Sequence, residues 1–155
     1  MTKTNAMRLL EAAEITFYPK EYNVSDGEVS GTAVAAKLGQ ETERVFKTLV
    51  TEGKNTGLNV FVIPVNAELD LKKAATTAGD KYVEMIKSRE LLPKTGYIHG
   101  GCSPVGMKKL YPTFIDETAQ LFDTIFVSGG KIGLQVEVAP CDLLTITEAK
   151  YCDCV

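Results

Sequence analysis

The chain has 155 residues, 45% apolar and 24% charged, with a formal net charge of -3 at neutral pH. That size and balance describe one ordinary globular domain, 1–155, and exclude a disordered chain. An acidic total argues against DNA and against any broad grip on nucleic acid, which needs many phosphate contacts, yet a few clustered lysines can still hold an RNA end.

Met7, Leu10 and Glu14 at helical spacing, with Leu9 and Ala13 alongside, predict a short amphipathic helix over 5–14. Glu11 and Glu14 interrupt this stretch and no run reaches the ~18 apolar residues of a membrane span, so a cytoplasmic protein with no membrane partner is expected. Ile15 to Phe17 read as a strand. Ser30 to Leu38 read as a helix, opened by Ser30 or Thr32 and stopped by Gly39. Lys47–Thr51 and Leu58–Val65 are two β-branched runs joined by a glycine-containing turn, the pattern of a hairpin. Asp70 can cap a helix through Ala75 to Ala78, ended by Gly79, and Tyr82 to Met85 suggest a further strand.

In the last third, Thr124–Val127 and Leu134–Val138 flank the turn Ser128-Gly129-Gly130-Lys131-Ile132-Gly133. Leu134, Val136 and Val138 alternate with Gln135 and Glu137, as in a sheet with one wet face. Leu143 to Ala149 read as a closing helix. Strands linked mainly as hairpins, with short helices between them, favour an α+β domain with a curved mixed sheet over a doubly wound one. The four cysteines, Cys102, Cys141, Cys152 and Cys154, lack a disulfide framework and read as reduced thiols, the last two in a flexible tail. Their C-x-C spacing and the single histidine do not fit zinc ligation, and no cofactor is expected.

The densest cluster of turn-forming residues runs from Thr95 to Lys109, with Gly96, Gly100, Gly101, Gly106, Ser103 and Pro104 around Cys102. Such a loop can turn backbone N–H groups toward a ligand; it can equally be a structural turn. This segment resembles the glycine- and Ser-Pro-containing loop of the YbaK/EbsC family, the Cys-tRNA(Pro) deacylases, relatives of the editing domain of bacterial prolyl-tRNA synthetases. The likeness continues in order through Lys37-Leu38-Gly39, Val45 to Leu49, Glu68 to Ala75, Pro112 to Asp116 and Val127 to Leu134.

The resemblance implies a curved, partly barrel-like mixed sheet of about seven strands ringed by short helices. It also implies a cleft for the 3′ end of aminoacyl-tRNA, and cooperation with prolyl-tRNA synthetase. By the same resemblance Lys47 is the functional lysine, Gly100 to Pro104 are the Gly-x-x-x-P loop, and Tyr22 and Asp142 are two further cleft positions. Lys47 on its strand can bind phosphate or steady charge growing on an ester carbonyl, and the amides of Gly101, Cys102 and Ser103 can supply further donors. Tyr22 can stack on a base, and Asp142 can accept from a substrate amine. On residue type alone each also has a plainer reading: Lys47 a solvated edge lysine, Tyr22 a half-buried ring, Asp142 a helix cap.

In the family the thiol of a misattached cysteine is thought to attack its own carbonyl, so the protein need not supply a nucleophile; that implies cleavage of Cys-tRNA(Pro) and of Cys-tRNA(Cys). Hydrolysis of Ala-tRNA(Pro) by water, and a binding module without turnover, are the alternatives. A His99–Cys102 dyad is not expected, because three-residue spacing in a tight loop does not make two side chains face each other. Lys72, Lys73, Lys94, Lys108, Lys109 and Lys131 are candidate phosphate contacts for the tRNA body.

Overall fold

Helix boundaries follow local hydrogen-bond chemistry. The computed structural model describes residues 2–155. Its first helix, α1 (Asn5–Ala12), opens where the Thr4 hydroxyl accepts from the Met7 N–H at 3.2 Å, and it buries Ala6, Met7 and Leu10. It stops before Glu14, whose backbone is left-handed.

The expected strand at Ile15 begins instead at Phe17 and runs on as β1 (Phe17–Glu21). Pro19 hides this strand from a propensity reading. It is tolerated because β1 is an edge: the Tyr22 N–H donates to Gly133, and by alternation the Pro19 nitrogen faces away from the sheet.

Helix α2 (Gly31–Leu38) is capped by the Ser30 hydroxyl and ended by left-handed Gly39. The hairpin is present as β2 (Phe46–Gly53) and β3 (Gly57–Pro64), in register from Phe46↔Pro64 to Gly53↔Gly57. Asp80 ties down its tip by accepting from the N–H groups of Asn55 (2.9 Å) and Thr56 (2.8 Å) and from the Thr56 hydroxyl (2.8 Å). Desolvation opposes the charge on this carboxylate, but together these hydrogen bonds outweigh it and hold the carboxyl below the usual range. Gly53 makes the approach feasible, since a Cβ there would lie 2.2 Å from the Asp80 carboxylate.

Helix α3 (Leu71–Ala78) starts at the Asp70 cap and ends at Gly79, and β4 (Val83–Met85) follows. Helix α4 (Ser88–Thr95) has no counterpart in the sequence reading because Pro93 lies inside it; the bond Pro93 forfeits is to the carbonyl of Arg89, in an exposed first turn. Strands β5 (Thr113–Asp116), β6 (Ile125–Lys131) and β7 (Leu134–Val138), helix α5 (Pro140–Thr147) and β8 (Lys150–Cys152) complete the chain.

The strands form two sheets, ordered β1-β7-β6 and β4-β2-β3-β5-β8. The first is antiparallel; the second is mixed, with β5 parallel to both β3 and β8. Among the described residues, eight strands in two sheets, neither closed on itself, replace the single sheet of seven that the resemblance implies. A parallel bridge between Val45 and Phe126 joins the sheets at the start of β2.

Leu134, Val136 and Val138 point as expected into the main core, beside Met7, Leu10 and Leu143. Their opposite face is not wet. Gln135 is only 7% exposed, and Phe126 on that face packs with Ala35, Val45 and Val65. The tail is not flexible either: β8 extends the second sheet, and Cys152 and Cys154 are buried beside Phe61, Ile63 and α3. The Cys154 carbonyl also accepts from the Asp70 N–H at 2.7 Å, fastening the chain end to α3. No helix among the described residues is long and apolar enough to cross a membrane.

Candidate functional site

Between the bridge at Val45 and the pairing of β4 with Thr51 to Gly53, the outer edge of β2 has no neighbouring strand among the described residues. A pocket of about 350 Å³ occupies that gap. Residues Val45 to Val50 form its floor, the start of α2 (Ser30, Gly31, Val34) one wall, and Met85 to Ser88 with Leu91 another. His99, Gly100 and Cys102 come from the glycine loop, Ser128 and Gln135 from facing positions of β6 and β7, and Tyr22 from the end of β1.

Lys47 lies in this pocket, half-buried, and among the described residues its ammonium has no ion-pair or hydrogen-bond partner. A carboxylate beside a lysine is the common arrangement at partly buried positions; here the charge is left available for a ligand. Two acceptors are also left over. The Oε1 of Gln135 and the Oγ1 of Thr48 are buried and unpartnered among the described residues, and both residues are among those that line the pocket. Buried polar atoms are ordinarily satisfied, so unpaired ones beside a cavity are candidates to be met by water or by a bound molecule once the side chain turns toward it.

Of the residues singled out from the sequence, Lys47, Tyr22, Gly100 and Cys102 come together here. Gly101, Ser103 and Pro104 sit behind the wall. The Gly101 N–H donates to the Ile98 carbonyl at 3.0 Å, so it is committed within the loop. A Cβ on Gly101 would lie 2.9 Å from the backbone of Lys131 and Ile132, and this close approach seats the loop on the β6–β7 turn. Ser103 is wholly buried and accepts from the Val105 N–H at 3.2 Å; Pro104 lines a separate hollow beside α1. Asp142 lies in the first turn of α5, does not line the pocket and is not the helix cap, a place held by Ala139.

Cys102 and His99 both border the pocket without a hydrogen bond between them among the described residues. Burial pushes the Cys102 thiol up to about 12, only partly offset by Thr95, so it is a neutral thiol at pH 7 and not a thiolate nucleophile. Among the described residues no three His, Cys, Asp or Glu side chains gather as metal ligands.

Sequence reasoning passed over Thr48, Ser128 and Gln135. Thr48 and Ser128 stand within the collinear blocks, adjacent to residues that were noticed. Gln135 was assigned to solvent because strand alternation reports the face of a side chain and not what covers that face.

Residues 28–146 match the family model of the aminoacyl-tRNA editing domain. The chain belongs to that family. Over 151 residues this editing-domain protein is 48% identical to EbsC of Enterococcus faecalis, which bears the provisional name Cys-tRNA(Pro)/Cys-tRNA(Cys) deacylase; the match covers 97% of this chain and 92% of that protein. It is also 31% identical over 77 residues to the proline–tRNA ligase of Thermosipho melanesiensis, covering 50% of this chain and 14% of the much longer ligase. Two crystal structures share the fold. One, of a provisionally assigned trans-editing enzyme for prolyl-tRNA synthetase, has a TM-score of 0.83 at 24% identity and covers 99% of this chain and 98% of that one. The other, of the hypothetical protein APE2540, has a TM-score of 0.88 at 22% identity, with 97% and 99% covered.

Proposed function

We propose that this editing-domain protein, acting as one domain over 1–155, removes wrongly attached amino acids from tRNA, with Cys-tRNA(Pro) and Cys-tRNA(Cys) as its substrates. The observation that carries the reading is Lys47, its ammonium unpaired among the described residues, lining one pocket with Gln135, whose Oε1 also has no partner there. An aminoacyl ester needs that combination: a cation for the carbonyl oxygen as it turns anionic, and acceptors for the α-ammonium. The relation to EbsC supports the choice of cysteine.

The chemistry then belongs to the substrate. The cysteinyl sulfur attacks its own ester carbonyl, a C–S bond forms as the C–O bond to the ribose breaks, and the thiol proton ends on the released ribose oxygen. The products are free tRNA and a cyclic thioester that water opens. Lys47 steadies the oxyanion, while the Gln135 amide turns toward the amine and holds it so that sulfur lies near the carbonyl carbon. Gly100 and Cys102 form the wall beside it, with Gly101, Ser103 and Pro104 shaping that wall from behind. Tyr22 at the rim supplies a face for the terminal adenine. Asp142, away from the pocket, is left to the charge of the first turn of α5.

Contacts to the tRNA body fall to exposed lysines such as Lys131 at the end of β6. Lys73 and Lys94 are engaged by Asp153 and by Glu52 and Glu90. Prolyl-tRNA synthetase in the cytoplasm would supply the tRNA selection that an acidic domain lacks, a partnership supported by the match to part of a proline–tRNA ligase.

The test is to incubate the purified protein with Cys-, Ala- and Ser-charged tRNA(Pro) and follow ester loss. Rapid loss of the cysteinyl ester alone is expected. Equal loss of the alanyl ester would replace the sulfur route with attack by water, and no loss from any charged tRNA would end the enzymatic reading.

A further inference from the structure

The glycine loop borders the pocket opposite Ser128 and Gln135 of β6 and β7, yet no regular pairing anchors it to the β6–β7 turn. What lies between them is Tyr97. It is 7% exposed, and its hydroxyl donates to the Val105 carbonyl at 2.5 Å, spanning the loop from one end to the other. Its N–H donates to the Thr95 hydroxyl at 3.1 Å, which fixes the start of the span.

The ring has space only because two glycines adjoin it. A Cβ on Gly106 would lie 2.9 Å from the Tyr97 hydroxyl, and a Cβ on Gly130, in the opposite turn, 3.1 Å from the ring. The start of α1 secures the same two segments from outside: the Thr4 hydroxyl donates to the Gly129 carbonyl and the Asn5 amide to the Gly106 carbonyl. Beyond this wedge, Gly101 presses on the backbone of Lys131 and Ile132.

We infer that Tyr97 is a positioning residue for the deacylation. By bridging the ends of the glycine loop and spacing it from the β6–β7 turn, it sets Gly100 and Cys102 against Ser128 and Gln135 across the pocket. The inference rests on the proposed function for its catalytic consequence, but the geometric part stands alone. Burial keeps the hydroxyl in its neutral form, so the bond to Val105 persists across the working pH range.

The substitution Tyr97→Phe keeps the ring and removes the bond. Because a displacement of order 1 Å costs up to about 100-fold in a positioned reaction, kcat on Cys-tRNA(Pro) should fall about 10- to 100-fold while KM stays within about twofold. Thr56→Val is the control. It deletes a side-chain bond of its own, from the Thr56 hydroxyl to the Asp80 carboxylate at 2.8 Å at the tip of the β2–β3 hairpin, away from both loops, and should leave kcat unchanged.

Amide hydrogen exchange supplies the second readout. Residues 98–106 and 128–133 should exchange faster in Tyr97→Phe, with β2 and β3 unaltered. If wild type deacylates and Tyr97→Phe matches it in kcat, the inference fails while the proposed function survives. If wild type deacylates nothing, the proposed function fails and exchange alone decides: faster exchange in both segments supports the positioning role, and unchanged exchange overturns it.

Discussion

Replacing Gln135 by leucine should make the protein more stable and less active at once. The side chain is 7% exposed, and its Oε1 is buried with no partner among the described residues. An unsatisfied buried acceptor costs about 1–3 kcal/mol. Leucine has nearly the same reach, lacks the orphan atom, and would face the apolar side of a pocket already lined by Val34, Val45 and Leu91. Part of the gain is lost to imperfect packing, so a net stabilisation of about 1 kcal/mol is expected, which for a chain of this length is a rise of about 2–4 °C in Tm. The bond to the α-ammonium, a charged donor, is lost in the same step. Such a bond is worth about 1.5–3 kcal/mol, or roughly 10- to 100-fold in kcat/KM at 1.36 kcal/mol per decade. Urea unfolding and single-turnover deacylation of Cys-tRNA(Pro) measure the two effects on one preparation. A Gln135→Leu protein that unfolds more easily and turns over normally would show that the amide is structural and that the reasoning from its unpaired oxygen is wrong.

Lys47→Met removes a cation that holds no partner among the described residues, so none of them is orphaned. Deacylation should fall about 10²–10³-fold, the usual cost of one oxyanion donor, with Tm moving by less than about 2 °C. Iodoacetamide at pH 8 should label exposed Cys141 and spare Cys102, whose thiol burial has pushed up to about 12; mass spectrometry of the peptides reads this, and fast labelling of Cys102 would contradict it. That raised thiol also sets a pH slope. Its contribution to stability is whole below the unfolded value near 9 and is lost as pH rises toward about 12, a loss that Cys102→Ala should lack in alkaline melts. Asp80 has the opposite sign: its lowered carboxyl stabilises the hairpin tip above the unfolded value near 3.8 and stops doing so as pH falls below it. Asp80→Asn should therefore lower Tm at pH 6 and leave a shallower fall between pH 5 and pH 2, checked by circular dichroism.

Much of the architecture was legible because its causes are local. Ser30 and Gly39 bound α2, Asp70 and Gly79 bound α3, and a cap or a left-handed glycine acts within a few residues of its own position. The same holds for the β2–β3 hairpin and for Lys47 on its strand. Strand β1 and helix α4 were obscured by Pro19 and Pro93, residues that oppose those structures in isolation and are tolerated at an edge and in an exposed turn. Strands β5 and β8 escaped notice for a different reason. A parallel strand takes its partners from distant segments, and Lys150-Tyr151-Cys152 becomes a strand only beside β5.

The order of residues alone thus dictates where helices begin and end, which strand carries the lysine, and, through collinear blocks, the family. Burial was settled by long-range packing. Gln135 became an inward-facing acceptor when α2 and the start of β2 covered its face, and Cys152 and Cys154 became core when β8 docked on β5. Alternation and capping are short-range effects written into a few neighbouring residues, whereas dehydration of a side chain depends on every segment that comes to rest against it.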